Sequence, residues 1–203
     1  SNDMLPAATV GQRAGERAVK RLKARKMPTG KIPVVFEPRI ATSLIGHLTS
    51  AINGGAICRG TSFLKDSLGK QIFPAGFTVT DDPLRPRGLR SRPFDAEGIA
   101  TQRRNIIEDG VLTTWLLDLR AARQLGMQST GHAGRGASSP PGAGPSNIYI
   151  AAGKLAPAEL IKDIKQGFYV TELIGMGVNG VTGDYSRGAA GFWIENGVIT
   201  HAV

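Results

Sequence analysis

The stretch GFYVTELIGMGVNGVTGDYSRGAAGFWIENGVITHAV, residues 167–203, decides between two kinds of sheet. Phe168 to Ile174 reads as a strand. GMGVNG follows, with Gly175, Gly177 and Gly180 in the G-x-G-x-x-G spacing of a dinucleotide-binding unit, and Glu195 lies twenty residues beyond Gly175. That fingerprint works only where a helix begins at the third glycine, because the helix N-terminus holds the pyrophosphate. Here VTGDYSRG follows, with two more glycines and no helical period, so a nucleotide-binding parallel sheet is rejected. The tail, Gly191 to Val203, reads as two short strands around Glu195-Asn196-Gly197. Asn-Gly is a hairpin signal because a tight primed turn needs positive backbone angles.

Working outward, the same signal recurs at Asp109-Gly110, which joins expected strands Gly98–Glu108 and Val111–Asp118. Val10, Ala14, Ala18, Val19 and Leu22 form one narrow apolar stripe, predicting a helix over 8–26 that Pro28, Thr29 and Gly30 stop. Ile32–Phe36 reads as a short buried strand. Ile40–Ile52 reads as a second helix ended by Asn53-Gly54-Gly55. Thr61–Leu68 is expected to be a short helix, Phe73–Thr80 to be extended, and residues 83–93, with three prolines and four arginines, to be a loop. Leu119–Leu125 reads as a helix capped by Gly126. Residues 129–147 read as a long loop without structure of its own. Ile148–Ala151 is an expected strand, and Ala156–Gln166 an expected helix with Pro157 in its first turn. This mixture predicts an α+β fold: a large, mainly antiparallel β-sheet, able to curl towards a barrel-like form, with a few flanking helices.

The 203 residues include 27 glycines and 12 prolines, which call for many turns, and a single cysteine, Cys58, which excludes an intrachain disulfide. No apolar run reaches membrane-spanning length and no signal peptide opens the chain, so a cytoplasmic protein without membrane association is expected. The net charge is +9, of which residues 11–31 carry +7: eight basic side chains against Glu16. A nucleic-acid reading rests on that segment alone, and it contains no aromatic residue for base stacking. The charge and composition divide the chain into a basic linker helix with its leading residues, 1–30, and a main domain, 31–203.

The three histidines, His47, His132 and His201, form no metal-binding spacing. His47 is expected half-buried on the second helix, His132 solvated in the 129–147 loop, and Cys58 inert. No G-x-S-x-G nucleophile elbow exists. Residues 177–197 differ in kind: five glycines before Phe192 surround Asn179, Asp184, Tyr185, Ser186 and Arg187. Glycines admit close backbone approach, and these polar side chains can hydrogen-bond peptide groups. The segment suits a binding loop, and it equally suits tight turns with satisfied polar groups.

GVNGVTGDYSRGAAGFWIENG (177–197) with SSPPGAGPSNIYIAAG (138–153), supported by ARKMPTGKIPVVFEP (24–38) and RGTSFLKDSLGKQIF (59–73), resembles the TldD/PmbA family, described as modulators of DNA gyrase or as peptide-maturation proteins. The resemblance implies that this chain is a C-terminal domain, with another domain upstream in family members. The TldD-like branch carries an H-E-x-x-x-H zinc motif on the helix matching 40–52, and a cysteine ligand near 184–190. This chain has RIATSLIGHLTSAIN and DYSRGAA there, with His47 alone. It therefore resembles the PmbA (TldE-like) branch.

The resemblance then implies a non-zinc subunit of a TldD/TldE-type metallopeptidase complex that cleaves peptides or unfolded proteins, zinc being held by the TldD-like partner. No catalytic or metal-binding residue and no cofactor is expected in this chain. Gly175, Gly177, Asn179, Gly180, Asp184, Tyr185, Ser186, Arg187 and Gly188, with the 129–147 loop, are expected near an extended peptide substrate. A homo-oligomer is expected when the chain is alone. The alternative is a DNA gyrase modulator or nucleic-acid-associated regulator without enzymatic activity.

Overall fold

The computed structural model describes residues 4–203. These divide into two compact units: one of residues up to Thr42 with Lys154–Met176 and Ser186–Val203, the other of Ser43–Gly153 with Gly177–Tyr185. Elements are numbered in chain order.

The first unit is built on a four-stranded sheet. Strand β1 (Val34–Phe36) lies parallel to β8 (Gln166–Ile174), which pairs antiparallel with β9 (Gly188–Glu195), which pairs antiparallel with β10 (Val198–Ala202). The β9–β10 turn is the expected one: Asn196 and Gly197 take φ of 48° and 77°. Phe168, Val170, Trp193 and Ile194 are buried in this sheet. Gly191 is required because a side chain there would run into the Tyr169 carbonyl and the Phe168 ring. β1 is only partly covered, against the buried strand expected.

Helix α1 (Ala7–Lys20) is shorter than its period predicts and buries none of its residues; Val10, Val19 and Leu22 stay exposed. The chain leaves the helix because Lys23 turns left-handed, at φ 59°, and Arg25 N–H donates to the Ala202 carbonyl at 2.9 Å. Helix α5 (Pro157–Ile161) also ends early: the Lys165 and Ile164 carbonyls accept from Asn196 and Gly197 N–H, both at 2.9 Å, and Gln166 already belongs to β8.

The second unit holds a sheet in the order β4 (Val111–Leu112), β3 (Arg104–Glu108), β2 (Val79–Asp81), β7 (Ile148–Ile150), all antiparallel. Its core is made by Ile52, Val79, Ile106, Ile107, Leu112, Leu116 and Leu117, all fully buried. Asp109 and Gly110 form the β3–β4 turn with φ of 48° and 83°, as their sequence predicts. The flanking strands are shorter than expected. Before β3, Asp95 Oδ1 takes the Glu97 and Ile99 N–H groups at 2.9 and 3.0 Å, making a turn. Before β2, Phe73 and Phe77 stack at 4.5 Å across another.

Helix α2 (Pro38–Ala51) ends where predicted, but Asn53 also begins a helix, α3 (Gly54–Cys58), by accepting from Gly55 N–H at 2.9 Å. Helix α4 (Leu119–Gln124) is capped by Asp118, which accepts from Ala121 N–H at 2.7 Å. Gly54 has no room for a side chain: the position of a Cβ would lie 2.7 Å from Ala121 Cβ and 2.9 Å from the Leu116 carbonyl. The half-buried Cys58 Sγ lies 3.7 Å from the Ala121 carbonyl. Residues 61–68 form turns and not the expected helix, because Ser62 Oγ donates to Ala51 O at 2.6 Å and accepts from Leu64 N–H at 3.0 Å.

The fold is α+β with mainly antiparallel pairing. Its strands are shared between two four-stranded sheets and a two-stranded hairpin, and none of these closes into a barrel among the described residues. No helix there is long and apolar enough to cross a membrane.

Candidate functional site

The glycine-rich segment singled out in the sequence is divided between the two units. Gly177, Asn179, Gly180, Asp184 and Tyr185 belong to the second, whereas Gly175, Ser186, Arg187 and Gly188 belong to the first. In the first, Gly188 pairs with Ile174, Gly175 follows β8 at φ 86°, and Arg187 Nε donates to the Ile174 carbonyl at 3.4 Å.

In the second unit residues 178–185 close on themselves. Asn179 Oδ1 accepts from Val181 and Thr182 N–H at 3.0 and 3.4 Å, and Asn179 N–H donates to Asp184 O at 2.9 Å. Thr182 Oγ1 donates to Asp184 Oδ2 at 2.6 Å, and Val178 bridges Tyr185. The Gly180 carbonyl accepts from Phe63 N–H at 3.0 Å; Gly183, at φ 84°, lies against the Phe63 ring. These polar groups serve the turn itself. Beside these exposed polar groups, Val181 and Tyr185 of the loop and the neighbouring Phe63 are exposed as well.

Tyr185 meets His47 of α2, ring edge to ring face, with centroids 5.8 Å apart. His47 is half-buried, as expected, and its Nε2 is buried without a hydrogen-bond partner. His47 and Tyr185 thus bring together one residue from each of the two stretches where the zinc branch of the resembled family keeps its ligands, and beside that imidazole and phenol the loop adds the Asp184 carboxylate. Among the described residues no group of three or more His, Cys, Asp or Glu side chains is placed to hold a metal. His132 is engaged elsewhere and Cys58 lies against α4. This donor set does not fit a zinc ion.

His132 corrects the sequence reading. It is buried, not solvated, and holds the 129–147 segment in place. Its Nε2 lies 3.2 Å from Asp81 Oδ2 and its Nδ1 2.8 Å from Thr130 Oγ1. Ser146 donates to the same carboxylate twice, from its N–H to Oδ1 and from its Oγ to Oδ2, both at 2.8 Å. Asp95 Oδ2 accepts from Ala133 N–H at 3.0 Å. Within that frame β5 (Ala133–Gly134) and β6 (Gly142–Ala143) form a short hairpin in what reads as a plain loop. A serine, a histidine and an aspartate meet here, but Ser146 bonds the carboxylate and not the imidazole. No nucleophile–base pair results, and the cluster is a buried tie. Its members are separated by 51 and 65 residues, so no local pattern announces it.

The first unit contains a cavity of about 490 Å³ lined by Tyr169, Glu37, Arg17, Arg21 and Arg39, among others. Burial pushes the Tyr169 phenol pKa up, the negative charge of Glu37 adds to this, and Arg17 opposes it. Glu37 holds Arg17 at 3.1 Å and Arg39 at 3.3 Å, and Arg21 pairs with Glu172. Two arginines of the basic helix region are thus already paired within the chain.

The profile of the PmbA/TldA metallopeptidase C-terminal domain matches residues 29–203, and the chain belongs to that family. It is 48% identical to the metalloprotease PmbA of Escherichia coli O157:H7 over 202 residues, which is 100% of this chain and 43% of that protein. Among solved structures it resembles a candidate modulator of DNA gyrase from Bacteroides thetaiotaomicron, with a TM-score of 0.89 and 35% identity over 100% of this chain and 44% of that one. TldE from Thermococcus kodakarensis shares the fold, with a TM-score of 0.82 at 24% identity over 96% of this chain and 45% of the other. The chain thus spans less than half the length of these relatives.

Proposed function

We propose that this chain is the C-terminal domain of the zinc-free subunit in a TldD/TldE-type metallopeptidase complex that cleaves peptides or unfolded chains. Family membership supports a peptidase-related role. The observation that carries the finer reading is the contact of His47 with Tyr185. The helix and the loop that would supply zinc ligands in the other branch are side by side here, without the glutamate or thiol they would need. Zinc then belongs to a TldD-like partner, where it would polarise the scissile carbonyl and activate water. This chain would contribute wall and binding surface. The exposed Tyr185, Val181 and Phe63 beside a hydrogen-bonded turn suit an extended peptide, and the end strands β1 and β7 offer backbone pairing that does not depend on side chains.

The test mixes the full-length protein with a TldD-like subunit and an unstructured peptide in the cytoplasm-like reducing conditions the single cysteine permits. Cleavage is expected from the mixture and from neither protein alone, with zinc following the TldD-like subunit on separation. Equal cleavage by the TldD-like subunit without this protein would overturn the proposal, as would stoichiometric zinc on this protein alone.

A further inference from the structure

The cavities of the two units differ in charge. Around Tyr169, Glu37 and Glu172 pair with three arginines. In the second unit a cavity of about 420 Å³ is lined by Arg90, Arg92 and Arg135 with Gly134, Gly144 and Pro145, and no lining residue is acidic. Among the described residues these three guanidinium groups form no ion pair. Arg92 Nε is buried with no partner at all.

The arginines are held in place by backbone contacts. Arg90 N–H donates to Asn147 Oδ1 at 3.0 Å, and Arg92 N–H donates to Pro83 O at 2.8 Å. Thr101 Oγ1 donates to Arg92 O at 2.6 Å. The third arginine follows β5, whose Ala133 is tied to Asp95. Gly134 lines the cavity close to Arg92: a Cβ there would lie 3.9 Å from Arg92 Nη1. Three like charges around one hollow repel one another, and a buried N–H without an acceptor costs free energy. An anionic occupant relieves the repulsion.

We propose that this cavity is an oxyanion site that takes the carboxylates of an acidic peptide segment. Guanidinium forks match planar carboxylates through paired hydrogen bonds. The volume falls in the range of roughly 300–1,000 Å³ that accommodates organic ligands, more than a lone inorganic ion fills. The inference concerns binding alone and holds whether or not the bound segment is cut.

Fluorescence anisotropy with the full-length protein and a labelled glutamate-rich peptide tests it, beside a matched glutamine peptide and inorganic phosphate as competitor. The glutamate peptide is expected to bind, to weaken as salt rises, and to lose about tenfold or more in affinity with Arg135→Ala, the loss expected for a charged hydrogen bond. Arg135 is exposed, so its replacement leaves the core intact; Arg92→Lys, which keeps the charge and loses the fork, is expected to weaken binding as well. Equal binding of the glutamine peptide, unchanged affinity in Arg135→Ala, or no binding by either peptide would overturn the proposal. Displacement by phosphate at the concentration at which unlabelled peptide displaces would overturn the peptide assignment and leave a bare oxyanion site.

Discussion

The β8–β9 pair and the 129–147 segment are ordered by opposite means. The strands share a ladder of eight matched residue pairs, from Gln166 with Glu195 to Ile174 with Gly188. The segment has a ladder of two pairs, Ala133 with Ala143 and Gly134 with Gly142. It stays in place because Asp81 and Asp95, both buried, accept hydrogen bonds from His132, Ala133 and Ser146. Backbone pairing can order a chain from within, whereas a Gly- and Pro-rich run needs an acceptor brought from far along the sequence.

Asp81→Ala attacks this contrast with the largest expected effect. It strands the N–H and Oγ of Ser146 and the ring of His132 in a buried site, costing about 3 kcal/mol or more. Denaturant unfolding measures the loss, and hydrogen exchange should show faster opening of 129–147 while the amides of β8 and β9 stay protected. Equal loss of protection in both places would mean that the two are not ordered separately. Gly191→Ala makes the reverse attack. A methyl group pressed onto the Tyr169 carbonyl should cost about 1–3 kcal/mol in thermal unfolding, with exchange accelerated first in β8 and β9. Asn196→Ala is the mildest probe. Holding alanine at φ 48° in the β9–β10 turn should cost about 1 kcal/mol and leave the register unchanged, which circular dichroism and melting together would detect.

The same contrast explains what the sequence allowed to be read. Both hairpin turns stand where Asp109-Gly110 and Asn196-Gly197 put them, because positive φ is a local demand that glycine and asparagine meet locally. Helix α2 and strand β8 were also legible from their own residues. The period of helix α1 reads too long, since a contact that holds the chain beyond it, Arg25 with Ala202, joins residues far apart in the sequence. Residues 61–68 read as a helix, since Ser62 gives no sign that it will reach back to Ala51. His132 reads as solvated for the same reason: its partner is 51 residues away. Of the candidate site, the turn chemistry of Asn179, Gly183 and Asp184 could be anticipated from glycine and asparagine, and the division of the nine residues between two units could not. Nor could Arg92: nothing in GLRSRP indicates which of its arginines will lack an acceptor.

Cys58, the single thiol, sits half-covered at the end of α3, its sulfur against the Ala121 carbonyl where Gly54 admits no spacer between the helices. The chain thereby carries its own gauge of breathing. A thiol reagent would react faster whenever α3 and α4 part, and its pace can be followed while peptides or a partner subunit are added, without introducing a label anywhere else.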